Sequence, residues 1–181
     1  MDLVVREARE TELDRIGALT AEVYEGEGLA GSEYLEVLRD ARARWESPAT
    51  TLLVAFDDGA EEVADLLGTV VYAAPGSPWQ DLARDEEVEF RMLATALPAR
   101  GRGVGETLVR ECVKRAKRAG APRLVLSTGP EMVPAHRLYE RLGFVRVPER
   151  DWRPRPEMKE MLRAYMLPLQ SRGQGQNEGQ G

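Results

Sequence analysis

The chain has 181 residues, 43% hydrophobic and 31% charged, with a net charge of −6 at pH 7. That length builds one domain with a sizeable core and leaves too little for two. No run approaches the ~18 apolar residues of a membrane span, and so acidic a chain is a poor partner for free nucleic acid. Neither a membrane nor a nucleic acid is expected as partner.

The charge is unevenly divided. Residues 1–90 hold 22 Asp and Glu against 7 Lys and Arg, whereas residues 91–181 hold 9 against 18. A basic half suits an anionic ligand and an acidic half a cationic one. The single cysteine, Cys112, can close no internal disulfide. The N-terminal MDLVVREARETELD lacks the basic-then-apolar order of a secretory leader, so a cytoplasmic protein is expected.

LVV (3–5) predicts a first strand. Thr11 to Asp14 has the spacing of a capping box, and Leu13, Ile16, Val23 and Tyr24 predict a helix over 11–25. GEGLAG (26–31) breaks it. Ser32 can cap a second helix carrying Tyr34, Leu35, Leu38 and Trp45 near one face, ended by Pro48. TTLLVAF (50–56) and ADLLGTVVYA (64–73) read as a hairpin around DDGAEE. After the loop APGSPWQD, VEFRMLATA (88–96) is a strand that runs into a glycine-rich turn and a helix. On that helix Leu108, Cys112, Val113 and Ala116 share one face, which makes Cys112 a core residue. Gly120 suits its C-terminal end. PRLVLST (122–128), FVRV (144–147) and RAYMLPL (163–169) are strands, with a short helix in MVPAHRLYERLG. The order β–α–α–β–β–β–α–β–α–β–β describes a mixed α/β domain over residues 1–169. The tail QSRGQGQNEGQG (170–181) cannot bury a core and is expected to be disordered.

The glycine turn, Arg100-Gly-Arg-Gly-Val-Gly105, decides between ligand classes. A phosphate-binding GxxxxGK[ST] loop counted from Gly101 meets Glu106 where its second glycine should stand. A dinucleotide GxGxxG also fails at Glu106. What remains is [QR]xxGx[GA] at a helix start. Glycines without Cβ let backbone N–H groups close on a pyrophosphate, and the helix dipole favours the anion.

This stretch resembles the coenzyme A motif of the GNAT superfamily of N-acetyltransferases. A second segment, Ala135-His-Arg-Leu-Tyr-Glu-Arg-Leu-Gly-Phe144, is similar to the family's AxxLYExxGF helix. The resemblance covers residues 3–169. It implies a mostly antiparallel central sheet with a splayed strand pair and flanking helices, and direct transfer of acetyl from acetyl-CoA to a primary amine. It also implies a homodimer.

Carried over residue by residue, the resemblance places the pantetheine arm of acetyl-CoA along Leu93, Ala94 and Thr95, where a backbone N–H can polarise the thioester carbonyl. Arg100, Gly101, Arg102, Gly103, Val104 and Gly105 would hold the pyrophosphate. Glu106 and Thr107 lie just inside the helix, with the Glu106 side chain pointing outward. Tyr139 matches the phenol that protonates the leaving thiolate, and Glu89 matches the general base of the histone-acetylating branch. The sequence departs from the family at Met132, where Asn is frequent, and at Pro98, one residue later than the usual proline.

Tyr24, Tyr34, Trp45 and Trp79 are candidates to line the acceptor pocket, with Asp81 and Asp85 as attractors for a cationic amine. With Asp85, Glu86 and Glu87 crowding nearby, Glu89 can equally belong to an acidic strand surface, and the amine can lose its proton through water with no side-chain base. Arg150, Trp152 and Arg153 form an unusual segment before the last strand. His136 is expected at the surface. One histidine and one cysteine suggest no metal site. A non-catalytic sensor of acyl-CoA is the rival to an enzyme.

Overall fold

Each strand at the centre of this chain is apolar on both sides, so the sheet must be covered twice. The computed structural model describes residues 2–60 and 62–169; the tail 170–181 lies outside the described residues. The strands are β1 Leu3–Glu7, β2 Thr50–Asp57, β3 Gly68–Ala73, β4 Val88–Thr95, β5 Arg123–Thr128, β6 Val145–Arg146 and β7 Arg163–Pro168. The helices are α1 Leu13–Gly26, α2 Ser32–Arg39, α3 Ala41–Trp45, α4 Val104–Arg118 and α5 Val133–Arg141. One sheet runs β1-β2-β3-β4-β5-β7-β6, antiparallel except for the β4–β5 pair. The expected order of elements holds, with α3 as an addition.

Strand alternation sorts the core into two layers. Leu53, Ala55, Val70, Tyr72, Val88 and Phe90 pack with Leu108, Val109, Cys112 and Ala116 of α4. Leu52, Val54, Phe56 and Val71 pack with Leu13, Ile16, Leu19, Leu35 and Leu38 of α1 and α2. Burial of each Leu, Ile, Val or Phe among them contributes ~1.5–3 kcal/mol, which explains why the amphipathic helices fold back on the sheet.

Several local expectations change. The cap of the first helix is not the Thr11–Asp14 pair. Glu12 accepts from the Arg9 N–H at 2.8 Å and from the Arg6 guanidinium at 3.0 Å, and a short 3₁₀ turn at Glu10–Glu12 leads into α1. Gly31, not Ser32, stands at the N-cap of α2, and no side chain caps it. The helix expected to reach Trp45 breaks at Asp40, whose Oδ1 caps the Ala43 N–H at 3.0 Å. Trp45 is therefore on α3 and over a third exposed. β3 begins at Gly68, four residues late, because Val63–Asp65 form a 3₁₀ turn.

Two buried ionic features fix the layers. Arg44 is only 1% exposed and donates to the carbonyls of Val37 at 2.8 Å and Leu38 at 2.9 Å, closing the C-terminus of α2. Burial pulls its pKa down to about 10, which leaves it charged at neutral pH. On the β3–β4 connection, Glu87 is 2% exposed, so it is no part of an acidic surface. It meets Arg150 at 2.8 Å, Arg123 at 2.8 Å and the Arg84 N–H at 3.0 Å.

β4 and β5 pair only at Val88↔Leu124 and Glu89↔Val125. Beyond those two positions they part, and β5 continues against β7. On its other edge β4 carries a bulge: the register with β3 shifts between Thr69 and Val71, and Met92 has φ +54°. The extra residue breaks alternation, so Arg91 and Met92 face the same side.

Gly17 lets α1 meet the end of α2, since a Cβ there would stand 2.0 Å from the Arg39 carbonyl oxygen. Gly17→Ala should cost at least ~2 kcal/mol in urea unfolding; an unchanged midpoint would refute the contact. Burial pushes the Glu87 carboxyl up, but Arg150, Arg123 and the Arg84 amide outweigh it and hold the pKa at about 2. A depressed folded pKa gives stability above the unfolded value near ~4.3 and loses it as pH falls toward 2. Urea unfolding from pH 6 to pH 2 should show that loss, and Glu87→Gln should flatten it.

Candidate active site

The parting of β4 from β5 opens a gap in the middle of the sheet, with different chemistry on its two faces. On the α4 face the chain leaves β4 through a 3₁₀ turn at Leu97–Ala99, the local consequence of Pro98. It then enters α4 by two left-handed glycines, Gly101 at φ +80° and Gly103 at φ +81°. A Cβ at either would meet nothing within 4 Å, so glycine is needed for the backbone angle and not for space. Val104 drops into the core beside Gly68. That leaves the first amides of α4 without helical partners and turned outward at the positive end of the dipole.

The predicted coenzyme residues converge here. A Cβ on Gly105 would lie 3.6 Å from Thr95 Oγ1 and 3.9 Å from Leu93 Cδ2, so the strand end and the helix start form one groove. The Ala96 N–H donates to Leu67 at 2.8 Å on the β3 side, and alternation therefore turns the Thr95 amide to the open edge. Ala94 is buried beneath. Thr107 Oγ1 donates to the Gly103 carbonyl at 2.8 Å and braces the turn. The Glu106 side chain points away, as expected, to Arg141 at 3.1 Å and Arg110 at 3.8 Å. Arg100 pairs with Glu27 and Arg102 with Asp57, and both guanidinium groups remain partly exposed. The glycine turn and open amides fit a pyrophosphate.

On the opposite face lies a cleft of about 570 Å³. Tyr24 and Tyr34 form one wall, edge to face at 6.3 Å. Residues 127–132 form another, and a third comes from the segment before β7, including Trp152, Arg155 and Met158. Asp81, Glu89, Arg91 and Met92 lie between these walls. Trp45, Trp79 and Asp85 do not line it. Trp79 packs beneath, with Arg44 at 5.9 Å over its ring. Trp152 takes the place expected of them, its Nε1 donating to Ser127 Oγ at 2.9 Å. Met132, where the family often has Asn, is also in the wall, with its sulfur 3.6 Å from Thr128 Oγ1.

Glu89 is 0% exposed as a residue yet borders the cleft. Its carboxylate accepts from the amides of Asp81 at 2.7 Å, Leu82 at 3.0 Å and Ala83 at 3.3 Å. Burial pushes its pKa up, against the pull of those amides and of Arg91. Arg91 itself is tied to Asp81 at 2.9 Å and to the Trp79 carbonyl at 2.9 Å.

Tyr139 is not on this face. It sits in the α4 core among Phe90, Phe144 and Tyr165, with ring centroids 5.8–6.0 Å away, and its hydroxyl has no partner among the described residues. Burial raises its pKa, so the phenol stays protonated. Glu89 and Tyr139 thus lie on opposite faces of the sheet. His136 is buried, contrary to expectation: a ring nitrogen lies 2.9 Å from the Gly129 carbonyl and the ring stacks near Tyr165. Its neighbours on the helix hid this, since Arg137 and Glu140 are polar. Among the described residues no group of three or more His, Cys, Asp or Glu is placed to hold a metal ion. None of the described helices is long and apolar enough to cross a membrane.

Comparison with known proteins agrees with this geometry. A curated relative, N-acetylaspartate synthetase of Danio rerio, is 36% identical over 87 residues, which is 48% of this chain and 30% of that protein. The match therefore spans under a third of that relative's length. An acetyltransferase of the GNAT family from Staphylococcus aureus Mu50 superposes with a TM-score of 0.70 at 13% identity, covering 93% of this chain and 100% of that one. The structure of the NatC complex bound to Gag peptide and CoA contains a chain matching with a TM-score of 0.67 at 20% identity, covering 94% and 100%. A sequence model of the acetyltransferase (GNAT) family matches residues 13–144. With the splayed strands and the glycine turn in place, the chain belongs to the GNAT family of acetyltransferases.

Proposed function

We propose that this acetyltransferase moves an acetyl group from acetyl-CoA to the primary amine of a small molecule, with both substrates bound at once. The observation that supports it best is the β4–β5 gap, which opens on the glycine turn at one face and on a carboxylate-bearing cleft at the other. The GNAT family uses acetyl-CoA, which supplies the acetyl group already activated as a thioester. Backbone amides from Gly103 to Glu106 would hold its pyrophosphate, since the Thr107 and Arg102 amides are taken up within the turn, with Arg100 and Arg102 exchanging their carboxylate partners for phosphate. Leu93, Ala94 and Thr95 would hold the arm, and the Thr95 amide would face the carbonyl oxygen as charge develops there.

The remaining work is proton movement and positioning. Glu89 takes the proton of the incoming amine, and Tyr139 supplies one to the departing thiolate. The cleft of about 570 Å³, walled on three sides, matches the size of a small acceptor, and that favours this reading over a protein lysine or N-terminus. The Danio rerio relative, named for an acetylated amino acid, supports the same choice. Arg91, Arg155, Lys159, Asp81 and Glu131 give the cleft both signs of charge, so the acidity of the N-terminal half does not by itself define a cationic acceptor. A cytoplasmic location and a homodimer belong to the same proposal.

Melting in the presence of acetyl-CoA, NAD or ATP tests the coenzyme half. Acetyl-CoA at ~100 times its Kd should add about 2.7 kcal/mol of stability, and the nucleotides nothing. No shift would refute the site. Thiol release across an amine panel then tests transfer, and binding without release would favour a sensor. Tyr139→Phe should lower kcat by ~10²-fold while leaving the acetyl-CoA melting shift intact. Unchanged turnover would remove the phenol from the mechanism.

A further inference from the structure

A buried carboxylate works as a base only if it is oriented and kept ionised. The three amides that do this for Glu89 lie on a stretch, Asp81 to Ala83, that has no regular secondary structure of its own. What fixes that stretch comes from far along the chain. Arg150, on the 3₁₀ turn after β6, donates from one terminal nitrogen to the Leu82 carbonyl at 2.7 Å and to Glu87 Oε2 at 2.8 Å. Its other terminal nitrogen donates to Glu87 Oε1 at 2.9 Å. Leu82 is therefore gripped at both ends of its backbone, by Glu89 through the N–H and by Arg150 through the carbonyl. Gln80 ties the start of the loop to its end, donating to Ala73 at 3.0 Å and to the Glu87 carbonyl at 2.9 Å.

We propose that Arg150 is a positioning residue for acetyl transfer, holding the amide cradle that orients Glu89 and keeps it charged. The proposal rests on the reading of Glu89 as the base. The Nε of Arg150 is buried without a partner among the described residues, as is that of Arg44; what sets Arg150 apart is that its fork ends on the loop whose amides hold Glu89. Arg150 also belongs to the same segment as Trp152, so the fork joins the acceptor wall to the base.

The charged groups around Glu89 set the sign of the effect. Arg91 on β4 is bound to Asp81, Glu87 lies two residues before, Arg150 comes from the turn and Arg123 from β5 behind Glu87. Tyr24 and Tyr34 share the cleft from α1 and α2. Weakening the Arg150 fork loosens the amides and leaves the Glu87 anion to Arg123 and the Arg84 amide alone. Both raise the proton affinity of Glu89, and Arg150→Gln removes a positive charge as well.

The test uses the full chain labelled with ¹³C at the glutamate carboxyl carbons, with the Glu89 signal assigned through Glu89→Gln. Arg150→Lys keeps a charge but loses the two-nitrogen fork. It should move the Glu89 titration midpoint up by about one pH unit. It should also lower kcat roughly fivefold to tenfold against a panel of amino acids and polyamines, with the acetyl-CoA melting shift unchanged. Arg150→Gln should do the same more strongly, and circular dichroism of each variant checks that the fold is kept. A Glu89 midpoint identical to wild type in Arg150→Lys overturns the proposal. If instead the midpoint moves but Glu89→Gln turns over like wild type, the base reading fails and takes the positioning role with it.

Discussion

The structure depends on a single interrupted ladder. β4 and β5 exchange backbone hydrogen bonds at two positions and then separate, although both are well-packed strands on their other edges. An unpaired strand edge in the middle of a sheet is normally a defect, because its amides and carbonyls lose their partners. Here the edge borders an opening, and neighbouring features keep it open. The bulge at Met92 bends β4, the β5–β7 pairing draws β5 the other way, and α4 covers one side of the gap. Met92 holds a left-handed backbone angle that costs ~1–3 kcal/mol, which the packing on both sides of β4 sustains.

From that opening follow two unlike environments. The α4 face is apolar except where the glycine turn presents amides at a helix start, which favours an anion without any buried cation. The α1–α2 face adds charged groups to an apolar layer, and they are restrained: Glu89 by three amides and Arg91 by Asp81 and the Trp79 carbonyl, while Glu87 on the adjoining connection is held by two arginines. Restraint of this kind has a function beyond stability. Buried ion pairs add little net stability over apolar packing, but they fix orientation, as the proposed two-substrate transfer would require. The cleft and the Glu87 network thus share the β3–β4 connection.

Much of this was legible in the residues. Apolar alternation located the strands, and helical spacing located α1, α4 and α5, because those signals come from burial on one face and need no knowledge of the partner. The glycine turn was readable because two of its positions demand left-handed angles that few other residues adopt. The errors cluster where a side chain acts over a distance. Glu12 replaced Thr11 and Asp14 at the helix start because Arg6 of β1 is beside it. Glu87 read as surface acid because its two arginines lie 36 and 63 residues away. His136 read as exposed because the carbonyl it meets belongs to Gly129, on the loop before its own helix.

The sequence by itself determined the family, the order of elements and the glycine turn, since each rests on local backbone geometry or on periodic burial. Tertiary structure alone decided which aromatic residues line the cleft, that Glu89 and Tyr139 lie on opposite faces of the sheet, and that Arg150 reaches the loop beneath Glu89. Those outcomes depend on where β4 leaves β5 and on one bulge that reverses side-chain alternation. A single-residue shift in a strand exchanges its two faces, and no local pattern around Met92 announces it.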